Sequence, residues 1–389
     1  MKILFLTSST SNKVFNSLCE NANFKPNPSN QIFYNKLIKA LNYYNEVSVI
    51  SHRPFTNGMY HASTLSEFDD KEDNINYYYT RIKGDYFYKI FLEQKNIYKR
   101  AVTAIDNFKD DNIVIIVDPL RRSLLKAALK LKKRYHFPII GMLTDNPYNL
   151  TKSTKKYSSF VIKNTANLDG FLSITNGLVE AYKVKNKPHY IFEGLVEEIN
   201  EYKKEPLGDY FAFAGSVNER YGIKNLIDAF EFVDQKYNLV ILGNGTLEKY
   251  INNKIKTNPR ILFLSQISKE KVYAIEQHAI ANINPRPHNT ILDYESIPSK
   301  MFEYLASGVP TISTMHPRLH DLFTNEVFWI DNDSPEGIAK TINEFLQTSK
   351  IQINKKVTTA KVKVYEMFGL HPQGEGISHF LDSLKISSK

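Results

Sequence analysis

Short apolar runs rich in β-branched residues recur along the first half of the chain, each followed by a longer stretch with helical spacing. Residues 2–6 (KILFL) read as a buried strand, and residues 30–41 as a helix placing Ile32, Phe33, Leu37, Ile38 and Leu41 on one face. Strands follow at 46–50, 75–82, 113–117, 138–143, 170–174 and 189–192, with helices at 91–108, 123–135 and 177–182. Alternation of this kind predicts a parallel sheet with helices on both faces, where ligands sit beyond the carboxyl ends of the strands.

Residues 196–208 are polar and charged, as an interdomain linker would be. The pattern then restarts, with strands at 210–213, 238–242, 261–264, 281–284, 310–313 and 328–330. Helices are predicted at 224–233, 247–255, 269–276, 298–306 and 335–346, the last with Asp333 and Glu336 in a capping-box-like arrangement. Two further helical segments, 357–368 and 377–384, close the chain. The expected architecture is α/β: two tandem Rossmann-like, doubly wound domains, residues 1–195 and 209–365, facing a central cleft. The tail, residues 366–389, is expected to pack back on the first domain.

Composition narrows the function classes. One cysteine, Cys19, excludes an internal disulfide framework and a cysteine-rich zinc site, which favours a reducing compartment. No signal-peptide core follows Met1, and every apolar run falls far short of the ~20 residues of a membrane span. A cytoplasmic protein is expected. The net charge is 50 − 41 = +9, with short lysine clusters at 126–134 and 152–156. Such clusters are ordinarily solvated helix faces, but with 24 Tyr and 24 Phe the chain also has what contact with an anionic membrane surface requires. The signatures of RNA and DNA binders are missing, so no nucleic-acid partner is expected.

The sharpest chemical signal is Glu295-Ser-Ile-Pro-Ser-Lys-Met-Phe-Glu303, continuing as Tyr304-Leu-Ala-Ser-Gly308-Val-Pro310. Pro298 suits a first helical position, and Gly308 and Pro310 punctuate the far end. Backbone N–H groups at Ser296 to Lys300 would then face an anion such as a diphosphate. Glu295 would stand in the loop before that terminus and Glu303 roughly 7–8 Å along the helix, two carboxylates able to accept sugar hydroxyls. A solvent-facing glutamate pair is the plainer alternative. The surrounding strand, Pro, Gly and Lys favour a site.

At these residues the chain resembles the retaining, GT-B fold glycosyltransferases of family 4, whose hallmark is E-x7-E. Its variant P-S-K-x-x-E-Y-L-A-x-G-x-P runs from Pro298 to Pro310, and Gly215-Ser216, Arg220 to Leu226 and Leu242-Gly243-Asn244-Gly245 are also similar to the family. The resemblance covers about the C-terminal half. It implies that Glu295, Ser296, Ile297, Pro298 and Ser299 hold the donor sugar and that Glu303 grips the nucleotide ribose. It also places Gly215, Ser216, Gly243 and Gly245 around the nucleotide, with the base read near Ser265 to Ile267. Where the family has Gly-Arg and Lys-Gly, this chain reads Gly215-Ser216 and Tyr221-Gly222, leaving Arg220, Lys224 and Lys300 as candidate diphosphate cations. The resemblance implies a nucleoside-diphosphate sugar as donor and no cofactor, because aimed cations and N–H groups can stabilise the departing diphosphate. The Glu295, Arg220 and Lys300 side chains are therefore candidates for the catalytic set, with Asp145 as a first-domain member, unless Asp145 only forms a turn before Asn146-Pro147.

The acceptor would meet strand-end loops of the first domain, with Ser9, His52, Arg121 and Asp145 as candidates; a glycan, lipid-linked or protein-linked acceptor in surface polysaccharide or glycoconjugate synthesis fits. His52 and His288 also read as structural. Asp331-Asn-Asp333 resembles a metal-binding D-x-D, but its place before Ser334-Pro335 reads as helix capping, and no metal is expected. Asp69, Asp70, Glu72 and Asp73 read as a charged turn. The competing reading is a non-catalytic GT-B subunit that stabilises or recruits a partner enzyme. A sugar-nucleotide epimerase lacks a marked acid/base pair, and a dinucleotide dehydrogenase lacks G-x-G-x-x-G after the first strand.

Overall fold

A computed structural model of the chain describes residues 1–24, 26, 28–108, 112–150 and 153–386. It divides into two compact units, Met1–Leu195 with Tyr294–Ser296 and the C-terminal helix Leu370–Ile386, and Val196–Asp293 with Ile297–Gly369.

The first unit contains strands β1 (Lys2–Thr7), β2 (Glu46–Ser51), β3 (Thr64–Leu65), β4 (Phe68–Glu72), β5 (Ile75–Tyr79), β6 (Ile82–Lys83), β7 (Ile113–Val117), β8 (Ile139–Leu143), β9 (Gly170–Ser173) and β10 (His189–Ile191). Eight of them form one sheet in the order β10-β9-β8-β7-β1-β2-β5-β4. Every pairing is parallel except β4 with β5, and the central strands are buried on both faces, which is why they read as unbroken apolar runs. The order reverses between β1 and β7, making the loops after Thr7 and Val117 the switch point where ligands enter such sheets. The C-terminal helix packs on the helix Pro28–Asn42; a Cβ on Gly374 would stand 2.1 Å from the Ala40 carbonyl oxygen, so only glycine permits that approach.

The second unit contains β11 (Tyr210–Ala214), β12 (Asn238–Leu242), β13 (Ile261–Phe263), β14 (Ala281–Asn284), β15 (Thr311–Thr314) and β16 (Phe328–Ile330), all parallel in the order β13-β12-β11-β14-β15-β16. That is the dinucleotide-fold order, with its reversal between β11 and β14. The polar stretch after Leu195 is laid along this unit: Val196 is buried, the Ile199 N–H donates to the Tyr365 hydroxyl at 3.3 Å, and Lys269 pairs with Glu197 at 2.7 Å.

Several local expectations are corrected. Asp69, Asp70 and Glu72 lie on β4, an edge strand, and only Asp73 and Asn74 make the turn, both with positive φ. The Glu72 carboxylate accepts the N–H groups of Asn12 (2.8 Å) and Lys13 (3.1 Å), an acid at the start of the helix Asn12–Glu20. The 91–108 segment begins as one π-helical turn, Tyr88–Leu92, before the helix Glu93–Asp106. Ser334, not Asp333, caps the helix Pro335–Gln347, its side chain accepting from the Gly337 N–H. Within the lysine cluster 126–134, Lys130 lies over the Tyr98 ring and Lys132 pairs with Asp169 at 2.6 Å. Lys152, of the other cluster, lies outside the described residues.

Candidate active site

In the second unit, three strand-end loops are woven together by backbone. The Gly215 N–H donates to the Leu242 carbonyl (3.0 Å), Val217 to Asn244 (2.9 Å) and Gly243 to Ser265 (2.8 Å), so the loops after β11, β12 and β13 form one surface. Glycine is required there. Gly243 has φ +127°, and a Cβ on it would fall 1.8 Å from the Gly215 carbonyl oxygen. Ile267, beyond Ser265, packs against the core of this unit.

The helix Lys300–Ala306 is tied to that surface by Tyr304, whose buried hydroxyl accepts the Ala214 N–H at 2.8 Å, one residue before Gly215. This helix starts two residues later than expected; Pro298 opens a preceding turn in which its carbonyl accepts the Met301 N–H at 2.9 Å. Glu303 therefore sits in the first helical turn. Lys300 Nζ stands 2.5 Å from Glu303 and 2.7 Å from Glu276, and the two carboxylates hold its pKa well above the usual range despite a burial that opposes the charge. Its charge is more than offset within the cluster. The cations next to the glycine turn are Arg220, exposed on the turn Glu219–Tyr221, and Lys224, exposed in the helix Ile223–Ala229. Gly222 follows with φ +74°, its Cα so close to the Pro285 carbonyl that a Cβ would stand 1.9 Å away. That contact brings in Arg286, a cation the sequence reading missed, which pairs with Asp293 at 3.7 Å and whose pKa is lowered by burial and, in part, by Arg220 nearby.

Residues 196–361 match the family model of glycosyl transferases group 1. Those residues form a glycosyl transferases group 1 domain. No curated protein sequence matches it. Among solved structures, sucrose-phosphate synthase from Thermosynechococcus elongatus is similar at TM-score 0.72 with 11% identity over 100% of both chains. Trehalose-6-phosphate synthase OtsA is similar at 0.70 and 10%, over 98% of this chain and 99% of its own. Anabaena HepE in complex with UDP-glucose is similar at 0.63 and 13%, over 98% and 100%. At such identities the likeness shows the fold, GT-B, as expected from the motifs.

Glu295 ends a short helix, Thr290–Glu295, rather than standing in a loop, and with Tyr294 and Ser296 it groups with the first unit. Its two oxygens accept the side-chain amides of Asn146 (2.9 Å) and Asn149 (2.6 Å). Ser296 is half-buried, Ile297 and Pro298 are buried and Ser299 is exposed.

At the switch point of the first sheet is a cavity of about 170 Å³, lined among others by Ser8, Asn30, Gln31, Phe55, Met59 and Arg121. Ser9, an acceptor candidate, is not among the lining residues named, and its buried hydroxyl is turned inward to Asn35 (3.1 Å) and Gln31 (3.3 Å). His52 has both ring nitrogens engaged, with Thr80 at 2.9 Å and Glu93 at 2.7 Å, which is a structural arrangement. Asp145 is exposed after β8, its carbonyl accepting the Tyr182 hydroxyl at 3.1 Å. Beside it lies the first residue of the strand-end loop 118–122, one of the loops expected to meet the acceptor. Asp118 is fully buried, and burial pushes its carboxyl up to about 6 against the pull of Arg121, the Leu120 N–H and the Tyr34 hydroxyl. Among the described residues no three His, Cys, Asp or Glu side chains are grouped to hold a metal ion, and no helix is long and apolar enough to cross a membrane.

Proposed function

We propose that the chain transfers a sugar, with retention of configuration, from a nucleoside-diphosphate sugar to a lipid-linked or other glycan acceptor in surface polysaccharide or glycoconjugate synthesis. The observation that carries this reading is the Tyr304 anchor, which makes the Glu303 helix and the glycine loops of β11 and β12 one continuous surface. Glu303 grips the ribose, and the glycine turns let the diphosphate approach the backbone. Arg220 and Lys224, with Arg286 behind them, oppose the charge that builds on the leaving diphosphate. Lys300 holds Glu303 in place rather than meeting the diphosphate directly, since two carboxylates already claim it. Glu295, with Ser296 to Ser299, receives the donor sugar. Solved neighbours of the same fold hold UDP-glucose or UDP-2-fluoro glucose, which supports a UDP-sugar as the first donor to try.

On the acceptor side, the cavity offers Ser8, Gln31 and the Arg121 cation among its described lining residues, which suits an acceptor bearing hydroxyls and an anionic group. Attachment to an anionic membrane surface is supported by Tyr86, Phe87, Phe91 and Leu92, exposed by 78%, 60%, 50% and 40%, next to Lys83, Lys89 and Lys95. The test of the reaction class is the anomeric configuration of the first product, read by proton NMR from a donor that turns over. Retention is expected; an inverted product overturns the reading.

A further inference from the structure

Glu295 is held differently from its companion carboxylate. Glu303 is neutralised by a lysine ammonium 2.5 Å away, whereas the Glu295 oxygens accept from two neutral amides. Asn146 is itself fixed, because its Oδ1 accepts the Tyr148 N–H at 3.0 Å, so its amide nitrogen faces Glu295. The backbone around Glu295 is fixed as well. The Tyr294 carbonyl rests where a Cβ on Gly177 would stand 2.2 Å away, and Tyr294 hydrogen-bonds Glu180.

We infer that Asn146 and Asn149 are positioning residues that set the plane of the Glu295 carboxylate for the donor sugar, an inference that rests on Glu295 being the sugar-holding group. One amide N–H on each oxygen fixes rotation of the carboxylate while leaving each oxygen a second lone pair for a sugar hydroxyl. Neutral donors also leave the negative charge in place, and an ionised acceptor makes the stronger hydrogen bond. A cation at either asparagine would lock the group and weaken it as an acceptor.

The test compares the affinity of each sugar nucleotide in a panel (UDP-glucose, UDP-galactose, UDP-N-acetylglucosamine, GDP-mannose, ADP-glucose) with that of its parent diphosphate. Wild type, Asn146→Ala, Asn149→Ala, Glu295→Gln and the Asn149→Ala/Glu295→Gln double variant are titrated. The ratio of the two affinities isolates the sugar. We expect each asparagine variant to lower that ratio about tenfold with diphosphate affinity unchanged, as loss of a hydrogen bond to a charged group should. In the Glu295→Gln background, removing Asn149 should do nothing further, because it acts through the carboxylate. A ratio lowered by Glu295→Gln but not by the asparagine variants overturns the positioning role and leaves the donor reading intact. A ratio unmoved by Glu295→Gln, or no binding across the panel, overturns both. Loss of diphosphate affinity in the asparagine variants would reveal a merely structural role and overturn the inference.

Discussion

Lys300 Nζ lies 2.5 Å from the Glu303 carboxylate, in the first turn of the helix that carries both. Glu276, with no exposed side-chain surface, takes the same ammonium at 2.7 Å, so the lysine is the counter-ion of a fully buried acid. Lys300→Met should therefore destabilise the protein by about 3 kcal/mol, the lower end of the cost of removing one member of a buried ion pair. Denaturant titration reads this directly. Adding Glu276→Gln should recover part of the loss, and a Lys300→Met protein as stable as wild type would show that the pair contributes nothing.

Asp118 gives a pH signature. Its carboxyl is pushed by burial from 3.8 to about 6, so the folded state prefers the protonated form, and stability falls as pH rises from about 4 to 6. The penalty above pH 6 corresponds to about 3 kcal/mol. Asp118→Asn mimics the protonated state, and should raise stability at pH 7.5 by up to that amount and by little at pH 4. A gain independent of pH would contradict the account. If Asp118 also serves the cavity that Arg121 lines, the same variant should impair acceptor use, and unchanged acceptor use would limit its role to stability.

Gly243→Ala should separate the nucleotide loops. With φ +127° and the Gly215 carbonyl 1.8 Å from the new methyl, the loops after β11 and β12 must move apart. We expect a loss of about 2 kcal/mol or more in stability and at least a tenfold weaker diphosphate affinity. Unchanged melting and binding would mean that the loop contact is irrelevant to the nucleotide.

The exposed aromatic turn should respond to lipid. Replacing Tyr86, Phe87 and Phe91 together with serine should abolish co-sedimentation with vesicles of 30% phosphatidylserine at low salt without changing the melting temperature, since none of the three is buried. Equal binding by wild type and variant would contradict the membrane role.

The fold was legible because parallel strands buried on both faces leave unbroken apolar runs, as in Ile113–Val117 and Leu239 to Leu242. β4 was not, because an edge strand with one solvated side tolerates Phe-Asp-Asp-Lys-Glu, which reads as a turn. The glutamate pair was legible through its fixed spacing along one short segment. Asn146, Asn149, Glu276 and Arg286 were not, since each reaches its partner across a sequence gap and sits in a stretch that reads as a turn or an ordinary helix. The Asn-Pro turn at Asn146 concealed a carboxylate donor, and Pro285-Arg286-Pro287 looked like a connector until Gly222 brought the Arg220 turn against it.

The central claim is that the second unit holds a nucleoside-diphosphate sugar through Glu303. The most direct measurement is thermal stabilisation of wild type and Glu303→Ala by the same sugar nucleotides. At 100 times its dissociation constant a ligand adds about 2.7 kcal/mol of stability. The account predicts one donor that stabilises wild type and is slowly hydrolysed, with both effects lost in a Glu303→Ala protein that remains folded. Stabilisation equal in wild type and Glu303→Ala, or none with any of these donors, would contradict it.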